Sequence, residues 1–454
     1  MKHLIGNRSF YKSIIAIAAP LVLQQLLTSS VQLVDNLMVG SLPNSELGSV
    51  AIINQLYFIV ILITFGAMGG AGIFSAQYFG SKDFEKLRQT FRFKIIIGFL
   101  LALLSFIIFT VFSSPLIGSF TDNEVIKGNS AIYLKVIRWS AFPWILNVAI
   151  ASTFRETGVT KPLLKISIVA ILTNTILNYL LIFGHFGFPE LGIYGAAIAT
   201  LIARFVEFSL SIILVIKKGQ IFNSKVFEML KISPKLFSSI LVMAFPLMLN
   251  EALWSGGQTI FFYAYTSRGT DALEAVTISS TISQLVFVTF GGIATAVAVM
   301  VGNTLGKNEL EQAKDNAKKL IAFAVMIAIG AGIILFILSF FVVDFFNATE
   351  ASRSIARFNI RINALFIPVF SFNVAMYFTL RSGGDTKSTF LMDAGYMWVV
   401  PVPIALVLAH FTNLPVTLMF LIVQSMDIPK MFFGLSRYRK ENWVKNLAID
   451  ENHS

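Results

Sequence analysis

The sequence predicts an all-α membrane protein with twelve transmembrane helices, in two six-helix bundles related by a pseudo-twofold axis along the membrane normal. Composition, recurrent apolar stretches and an internal repeat support this prediction. The 454 residues are 56% hydrophobic and only 13% charged, whereas soluble domains carry about 25% charged residues. Nearly every residue is thus assigned to a helix or a short connection, and no room remains for a soluble catalytic domain.

Twelve apolar stretches are long enough to cross a bilayer, which requires about 20 residues. They are 13–39, 47–78, 91–112, 131–153, 163–184, 192–216, 237–266, 275–304, 319–343, 357–380, 388–410 and 414–435. Too few apolar residues precede the sequence Ala16-Ile17-Ala18 to form the core of a cleaved signal peptide. The first stretch is therefore expected to remain as a span.

Basic residues are concentrated in every second connection between the spans. Counted with the adjoining ends of the spans, as in 79–94, the N-terminal tail, the connections after even-numbered spans and the C-terminal tail hold 26 Lys and Arg, and the other connections hold 4. The positive-inside rule therefore predicts a multi-pass protein of the cell membrane with both termini in the cytoplasm. This bias also explains the net charge of +11, so we expect no nucleic-acid partner. Cysteine is absent, which excludes disulfides and thiolate metal sites.

The sequence repeats itself without gaps at one fixed offset of 226 residues, which aligns Pro20 with Pro246. The clearest block pairs Asn147-Val148-Ala149, Thr153, Arg155, Gly158 and Thr160-Lys161 with Asn373-Val374-Ala375, Thr379, Arg381, Gly384 and Thr386-Lys387. Each half holds six spans, so the halves are parallel repeats, as in secondary transporters whose bundles rock about a central site. We predict an N-terminal bundle (1–216), a cytoplasmic linker (217–236) and a C-terminal bundle with a short tail (237–454). An old duplication in a channel or a structural protein is the alternative.

Polar residues in the first and fifth spans form a candidate cation site. A carboxylate at the bilayer centre costs about 2.5–3.5 kcal/mol, so Asp35 requires an explanation. Asn174 and Asn178 are four residues apart and share a helical face. One carboxylate and two amides suit a proton or a hard cation such as Na⁺. Pro20 removes a backbone hydrogen bond from the same helix as Asp35, which permits bending. A hydrated Asp35 and packing amides are the alternatives.

Two acidic residues in the C-terminal half are candidates for a substrate site or a secondary proton site. Glu251 follows Pro246 by five residues and lies beside Trp254 in an apolar stretch, where burial disfavours the charged form. Asp393 lies in an eleventh span interrupted by Pro401 and Pro403. Glu207 can pair with Arg204 on its own helix and is read as structural. Asp427 lies near the end of the last span and can snorkel.

The chain resembles the multidrug and toxic compound extrusion (MATE) family of cation-coupled efflux transporters. The resemblance covers both halves and rests on short motifs in a fixed order. These are Ala19-Pro20 followed by Val34-Asp35-Asn36-Leu37-Met38-Val39-Gly40, Ala76-Gln77-Tyr78-Phe79-Gly80, Arg155-Glu156-Thr157-Gly158 with Lys161-Pro162, Asn174 to Gly184, Gly192-Ile193-Tyr194-Gly195-Ala196-Ala197-Ile198-Ala199-Thr200, and Arg381-Ser382-Gly383-Gly384-Asp385-Thr386-Lys387.

This resemblance implies an antiporter that exports amphipathic, often cationic, organic compounds in exchange for H⁺ or Na⁺. It implies no cofactor beyond the coupling ion and no partner beyond small organic substrates and the lipid bilayer; we expect a monomer. Asp35, Asn174 and Asn178 fall where members have their N-half cation site, although many relatives carry Asp in place of Asn178. Glu251 falls on an acidic position of another branch, whose second acid, in the tenth span, has no counterpart here; the nearby polar residue is Asn373.

Four other functions compete with drug efflux. A lipid-linked saccharide flippase of the same superfamily would favour a strongly basic cavity, but few Lys or Arg lie inside the spans. A major facilitator would carry a basic, glycine-rich motif where this chain has Gly80-Ser81-Lys82-Asp83-Phe84-Glu85. A membrane prenyltransferase would need paired aspartates for Mg²⁺, so no enzyme is predicted. An ion channel without coupled transport remains an alternative of a different class.

Overall fold

A computed structural model describes residues 5–40, 42, 44–217, 228, 231–346 and 348–449. Within these ranges the chain is almost entirely helical. The α-helices are α1 (Arg8–Gly40), α2 (Asn44–Ser81), α3 (Phe84–Val111), α4 (Ser113–Gly118), α5 (Glu124–Ile137), α6 (Ala141–Glu156), α7 (Lys161–Phe183), α8 (Gly192–Lys217), α9 (Pro234–Thr266), α10 (Thr270–Gly306), α11 (Leu310–Leu338), α12 (Glu350–Ser382), α13 (Thr386–Phe390), α14 (Tyr396–Val399), α15 (Pro401–Phe411), α16 (Val416–Ser425) and α17 (Asp427–Arg439).

Twelve of the described helical segments are long and apolar enough to cross a membrane, which confirms the predicted all-α membrane fold. Several helices extend beyond the apolar stretches by one or two polar turns, because helix caps rather than hydrophobicity end them. Asp83, for example, caps α3 by accepting a hydrogen bond from the backbone N–H of Lys86 at 3.0 Å. The fourth span contains a 3₁₀ turn, Arg138–Ser140, between α5 and α6, which the apolar pattern does not predict.

The helix boundaries repeat at the same offset as the sequence. Helix α1 corresponds to α9 residue for residue, from Arg8–Gly40 to Pro234–Thr266. Gly158 and Gly384, which follow α6 and α12, have φ angles of 77° and 78°, a region that glycine adopts without strain. Lys82 and Asn308, another equivalent pair, both have φ of 62°. The duplication is therefore present in the backbone as well as in the sequence.

The described residues form two compact units. One contains those of Leu23–Ser75 and Asp83–Met248. Its helices approach closely through small residues: a Cβ on Gly195 of α8 would overlap the carbonyl oxygen of Leu181 of α7. Membrane helices pack in this way because lipid gives no hydrophobic drive for their association. Helices α7 and α8 therefore pack with their backbones in close contact.

The other unit contains the described residues of Met1–Val22, Ala76–Lys82 and Leu249–Ser454. Its core is formed largely by α10, α11 and α12, where Ala296, Val297 and Leu320 are fully buried. Helix α1 passes from this unit into the other after Val22, and α9 passes from the other unit into this one after Met248. Each boundary lies two residues beyond the helix's internal proline, Pro20 or Pro246.

Candidate functional site

The fifth and sixth spans bring three uncharged oxygen-bearing side chains together in the N-terminal half. Asn178 of α7 is buried, and its Nδ2 donates to Oδ1 of Asn174 at 3.5 Å. Nδ2 of Asn174 donates in turn to Oγ1 of Thr200 of α8 at 3.4 Å. The predicted common face of Asn174 and Asn178 is thus present. Thr200 completes the group and was not singled out from the sequence, although it ends the motif that begins at Gly192.

The remaining predicted members of the N-terminal site lie on α1. Pro20 is buried inside the helix. Asp35 belongs to α1 by its backbone, but its side chain lies outside the described residues. One turn after Pro20, Nε2 of Gln24 donates to Oγ of Ser167 of α7 at 2.6 Å. This hydrogen bond fixes the register between α1 and the helix that carries Asn174 and Asn178.

A second polar group surrounds Asp393 in the C-terminal half. Nζ of Lys430 of α17 forms an ion pair with Oδ1 of Asp393 at 2.7 Å, and the two side chains are only 16% and 18% exposed. Nδ2 of the buried Asn250 of α9 donates to Oδ2 of Asp393 at 3.0 Å. Oδ1 of Asn250 accepts from the backbone N–H of Ala394 at 3.1 Å. Asp393 is therefore held by an ammonium group of the chain itself.

The eleventh span is interrupted before Pro401, as its prolines predict, and also at Asp393, which the sequence did not predict. Residues Leu391–Gly395 form a π-helical turn between α13 and α14, and a further break precedes Pro401. Such turns often occur at functional positions of helices. Nε1 of Trp398 donates to the carbonyl oxygen of Leu253 of α9 at 2.8 Å. The irregular span is thus tied to α9 on both sides of Glu251.

Glu251 itself is half-buried on α9. The charged groups that act on it electrostatically are the guanidinium of Arg381 and the carboxylate of Asp393. Asn373, which stands near the position of the missing acid in the tenth span, donates its Nδ2 to the carbonyl oxygen of Asp427 at 3.0 Å. Glu251 is therefore the one acidic residue of α9, and the nearby charges that act on it are those of Arg381 and Asp393.

Comparison with known proteins gives the family. The sequence pattern described as MatE matches residues 20–180 and again residues 246–407. The two matches start at equivalent positions of the repeat, Pro20 and Pro246, and together cover more than half of the chain. The chain belongs to the MatE family. It is consequently a transporter and not an enzyme, and the two matched segments correspond to the two halves of the repeat.

Relatives and solved structures agree with the MatE assignment. The chain is 26% identical over 411 residues to a probable multidrug resistance protein, YoeA, of Bacillus subtilis, covering 90% of this chain and 89% of that one. It is 24% identical over 412 residues to the probable multidrug resistance protein NorM of Thermotoga maritima, covering 89% and 86%. A mutant of the Vibrio cholerae MATE transporter VcmN matches with a TM-score of 0.87 at 19% identity, over 96% and 98% of the chains.

These relatives favour drug efflux over the flippase alternative for this MatE transporter.

Two charged pairs within the spans bear on the sequence predictions. Arg204 donates to Glu207 at 3.0 Å, as predicted for a structural pair. Lys94, which the sequence assigns to the basic connection 79–94, is instead fully buried in α3 and pairs with Glu156 of α6. Its Nζ also lies 3.2 Å from the hydroxyl oxygens of Ser152 and Thr153.

Lys94 and Lys430 are charged residues whose roles the sequence did not reveal. The sequence places Lys94 in the basic connection 79–94 and Lys430 inside the span 414–435, and hydropathy alone cannot show that either lysine turns inward to a carboxylate. Glu156 lies in a motif quoted for the resemblance, and Asp427 precedes Lys430 by three residues. Among the described residues no cluster of three or more His, Cys, Asp or Glu that could hold a metal is found.

Proposed function

We propose that this MatE transporter exports amphipathic, often cationic, organic compounds across the cell membrane in exchange for inward-moving H⁺ or Na⁺. The moving bodies are the two six-helix bundles, 1–216 and 237–454, joined by the linker 217–236, with both termini in the cytoplasm. The transporter works as a monomer on small organic substrates. Relatives named multidrug resistance proteins support the substrate class, and parallel repeats are typical of alternating access.

The observation that carries the proposal is the register between α1 and α7. Gln24 and Ser167 are joined by a hydrogen bond of 2.6 Å. Position 35 lies eleven residues beyond Gln24, and Asn178 lies eleven residues beyond Ser167, which is three helical turns in each helix. Both helices are expected to start on the cytoplasmic side, so equal advances keep the two positions level. We therefore assign the coupling cation to Asp35, Asn174 and Asn178, with Thr200 as a further oxygen donor.

Binding of a cation at Asp35 supplies enough free energy to drive a conformational change. A carboxylate in the membrane costs about 2.5–3.5 kcal/mol, and H⁺ or Na⁺ neutralises this charge. Each 1.4 kcal/mol changes a two-state equilibrium about tenfold, so occupancy can shift the transporter by roughly two orders of magnitude. Pro20, one turn before Gln24, allows α1 to bend as the mechanical output.

Transport in inside-out membrane vesicles tests the proposal. A fluorescent organic cation should accumulate inside vesicles that contain the protein when a proton or sodium gradient is imposed. An ionophore that dissipates the gradient should release it. Accumulation that persists without any gradient would reject antiport, and passive equilibration through the protein would favour the channel alternative. A matched preparation without the protein provides the background.

A further inference from the structure

The last described segment of the chain, after α17, buries four of its side chains although it follows the last span. Trp443 is 1% exposed, and Leu447 and Ala448 are also buried. The Trp443 ring stacks on Tyr438 with ring centres 5.2 Å apart. A Cβ on Gly383, just after α12, would overlap the carbonyl oxygen of Trp443. This backbone contact admits only glycine at position 383, so the tail is fitted against the end of α12.

Gln77, near the end of α2, joins this segment to the helix ends. Its side chain is completely buried. Nε2 of Gln77 donates to the carbonyl oxygens of Ser382 at 2.9 Å and Lys445 at 3.3 Å. Oε1 of Gln77 accepts from the backbone N–H of Leu447 at 2.7 Å. The amide thus bonds both the end of α12 and the tail.

The tail is also fastened to α10, and α10 to α2. Nδ2 of Asn446 donates to the carbonyl oxygen of Gly306 at 3.2 Å. A Cβ on Gly306 would overlap the carbonyl oxygen of Gln77, and one on Gly80 would overlap that of Asn303. Gly80 and Gly306 are equivalent in the repeat. The last turns of α2 and α10 are therefore packed backbone to backbone.

We infer that residues 443–448 form a socket, fixed to α10 and α12, which holds Gln77 of α2 in one state of the transport cycle and releases it in another. The inference rests on the proposed function, in which α2 moves with the N-terminal bundle and the socket with the C-terminal bundle. In the state described, the end of α2, Ala76–Lys82, belongs to the same compact unit as the socket. The charge bias places these helix ends on the cytoplasmic side. For substrate to enter from the cytoplasm, the ends of α2 and α10 must separate, and Gln77 must leave the socket. Gln77 is thus a positioning residue of the cycle.

The absence of cysteine from the sequence allows a direct test. A single Leu447→Cys variant places a thiol in the socket, and inside-out vesicles expose this face to a membrane-impermeant maleimide. At rest, labelling should be slow, because the side chain at position 447 is buried while Gln77 bonds its backbone N–H. Under an imposed proton or sodium gradient with a fluorescent organic cation present, labelling should become about tenfold faster. Ala448→Cys serves as a second reporter if Leu447→Cys does not fold.

Replacement of Gln77 should mimic release. In the Leu447→Cys background, Gln77→Leu removes three hydrogen bonds, and resting labelling should rise about tenfold or more and lose its dependence on the gradient. Gln312→Leu is the matched control, because Gln312 is exposed and bonds Asn316 on its own helix. It should leave both rates unchanged.

Two results separate the socket from the proposed function. If the thiol stays equally protected while the same vesicles transport the organic cation, the tail is a static anchor and the inference is overturned. If labelling responds to the gradient but no organic cation is transported, the socket stands and the proposed substrate class fails. Labelling that is slow and unchanged in every condition also overturns the socket.

Discussion

The two halves of the chain contain the same contact in equivalent positions, with different chemistry. In the N-terminal half, Gln24 donates to Ser167; at the equivalent positions of the C-terminal half, Asn250 donates to Asp393. Lys430 is the equivalent of Arg204. Because the N-terminal half has a serine where the C-terminal half has Asp393, Arg204 pairs with Glu207 on its own helix instead. The repeat has therefore preserved the helix contact and changed its charge.

This difference suggests a division of labour between the halves. In the C-terminal half, the Asp393 carboxylate is already paired with the ammonium group of Lys430. The polar face of the N-terminal half, at Asn174, Asn178 and Thr200, consists of neutral oxygens and amides. The equivalents of Asn174 and Asn178 are Val400 and Ile404. An external cation is thus expected in the N-terminal half, and a structural ion pair in the C-terminal half.

Removing the internal cation should produce the largest change in stability. Lys430→Met leaves the Asp393 carboxylate without its cation in a mostly buried site, and loss of one partner of a buried ion pair costs about 3–5 kcal/mol. We expect a clearly lower melting temperature in detergent. Adding Asp393→Asn should restore part of it, because the carboxylate that bonds Lys430 is then removed, while Asp427 also loses the nearby ammonium.

The equivalent change in the N-terminal half is the matched control. Arg204 is 41% exposed and pairs within its own helix, so Arg204→Met should cost less than about 1 kcal/mol. Equal losses of stability in the two variants would show that the Lys430–Asp393 pair contributes no more than the exposed Arg204–Glu207 pair. An unchanged melting temperature in Lys430→Met would contradict a structural role for Lys430.

Asn174→Ala should have a smaller effect, confined to ion dependence. It removes one amide oxygen donor and the hydrogen bond to Thr200, while the proposed Asp35 ligand stays in place. The apparent affinity for the coupling ion, measured as transport rate against Na⁺ or H⁺ concentration, should fall by up to about tenfold, since one polar ligand contributes about 1.4 kcal/mol or less. Unchanged ion dependence would leave Asn174 as a packing residue.

Glu251→Gln should have the smallest effect of the series. The expected acidic partner in the tenth span is absent, so Glu251 is predicted to tune substrate choice or pH dependence rather than to be indispensable. The variant should retain measurable export of at least one organic cation. Complete loss for every substrate, in protein that inserts and folds normally, would place the coupling acid in the C-terminal half.

The fold could be predicted from the sequence because the patterns that specify it recur along the chain. Long apolar stretches locate the spans, and one offset predicts that α9 should copy α1. Side-chain partners could not be predicted in the same way. The Asn174–Asn178 face follows from spacing within one helix, whereas the pairs Lys430–Asp393 and Lys94–Glu156 join residues of separate helices. Hydropathy treats each lysine as a penalty and carries no information about the carboxylate that neutralises it.

The buried tail is a second feature that the sequence could not reveal. Residues after Arg439 are mostly polar, and the pattern predicts a short cytoplasmic tail. Trp443 is nevertheless fully buried, because Gly383 leaves room for its backbone and Asn446 bonds the end of α10. Contacts of this kind depend on which helix ends meet in space.

The central claim, that an external cation couples to transport through Asp35, is tested most directly by flux in proteoliposomes with sodium and proton gradients imposed separately. For the unmodified protein, one of the two gradients should drive accumulation of an organic cation. Asp35→Asn should abolish that gradient-driven accumulation while substrate binding is partly retained, because the neutral side chain can no longer exchange a charge. Gradient-driven accumulation with unaltered ion dependence in Asp35→Asn would contradict the account and make Glu251 the next candidate.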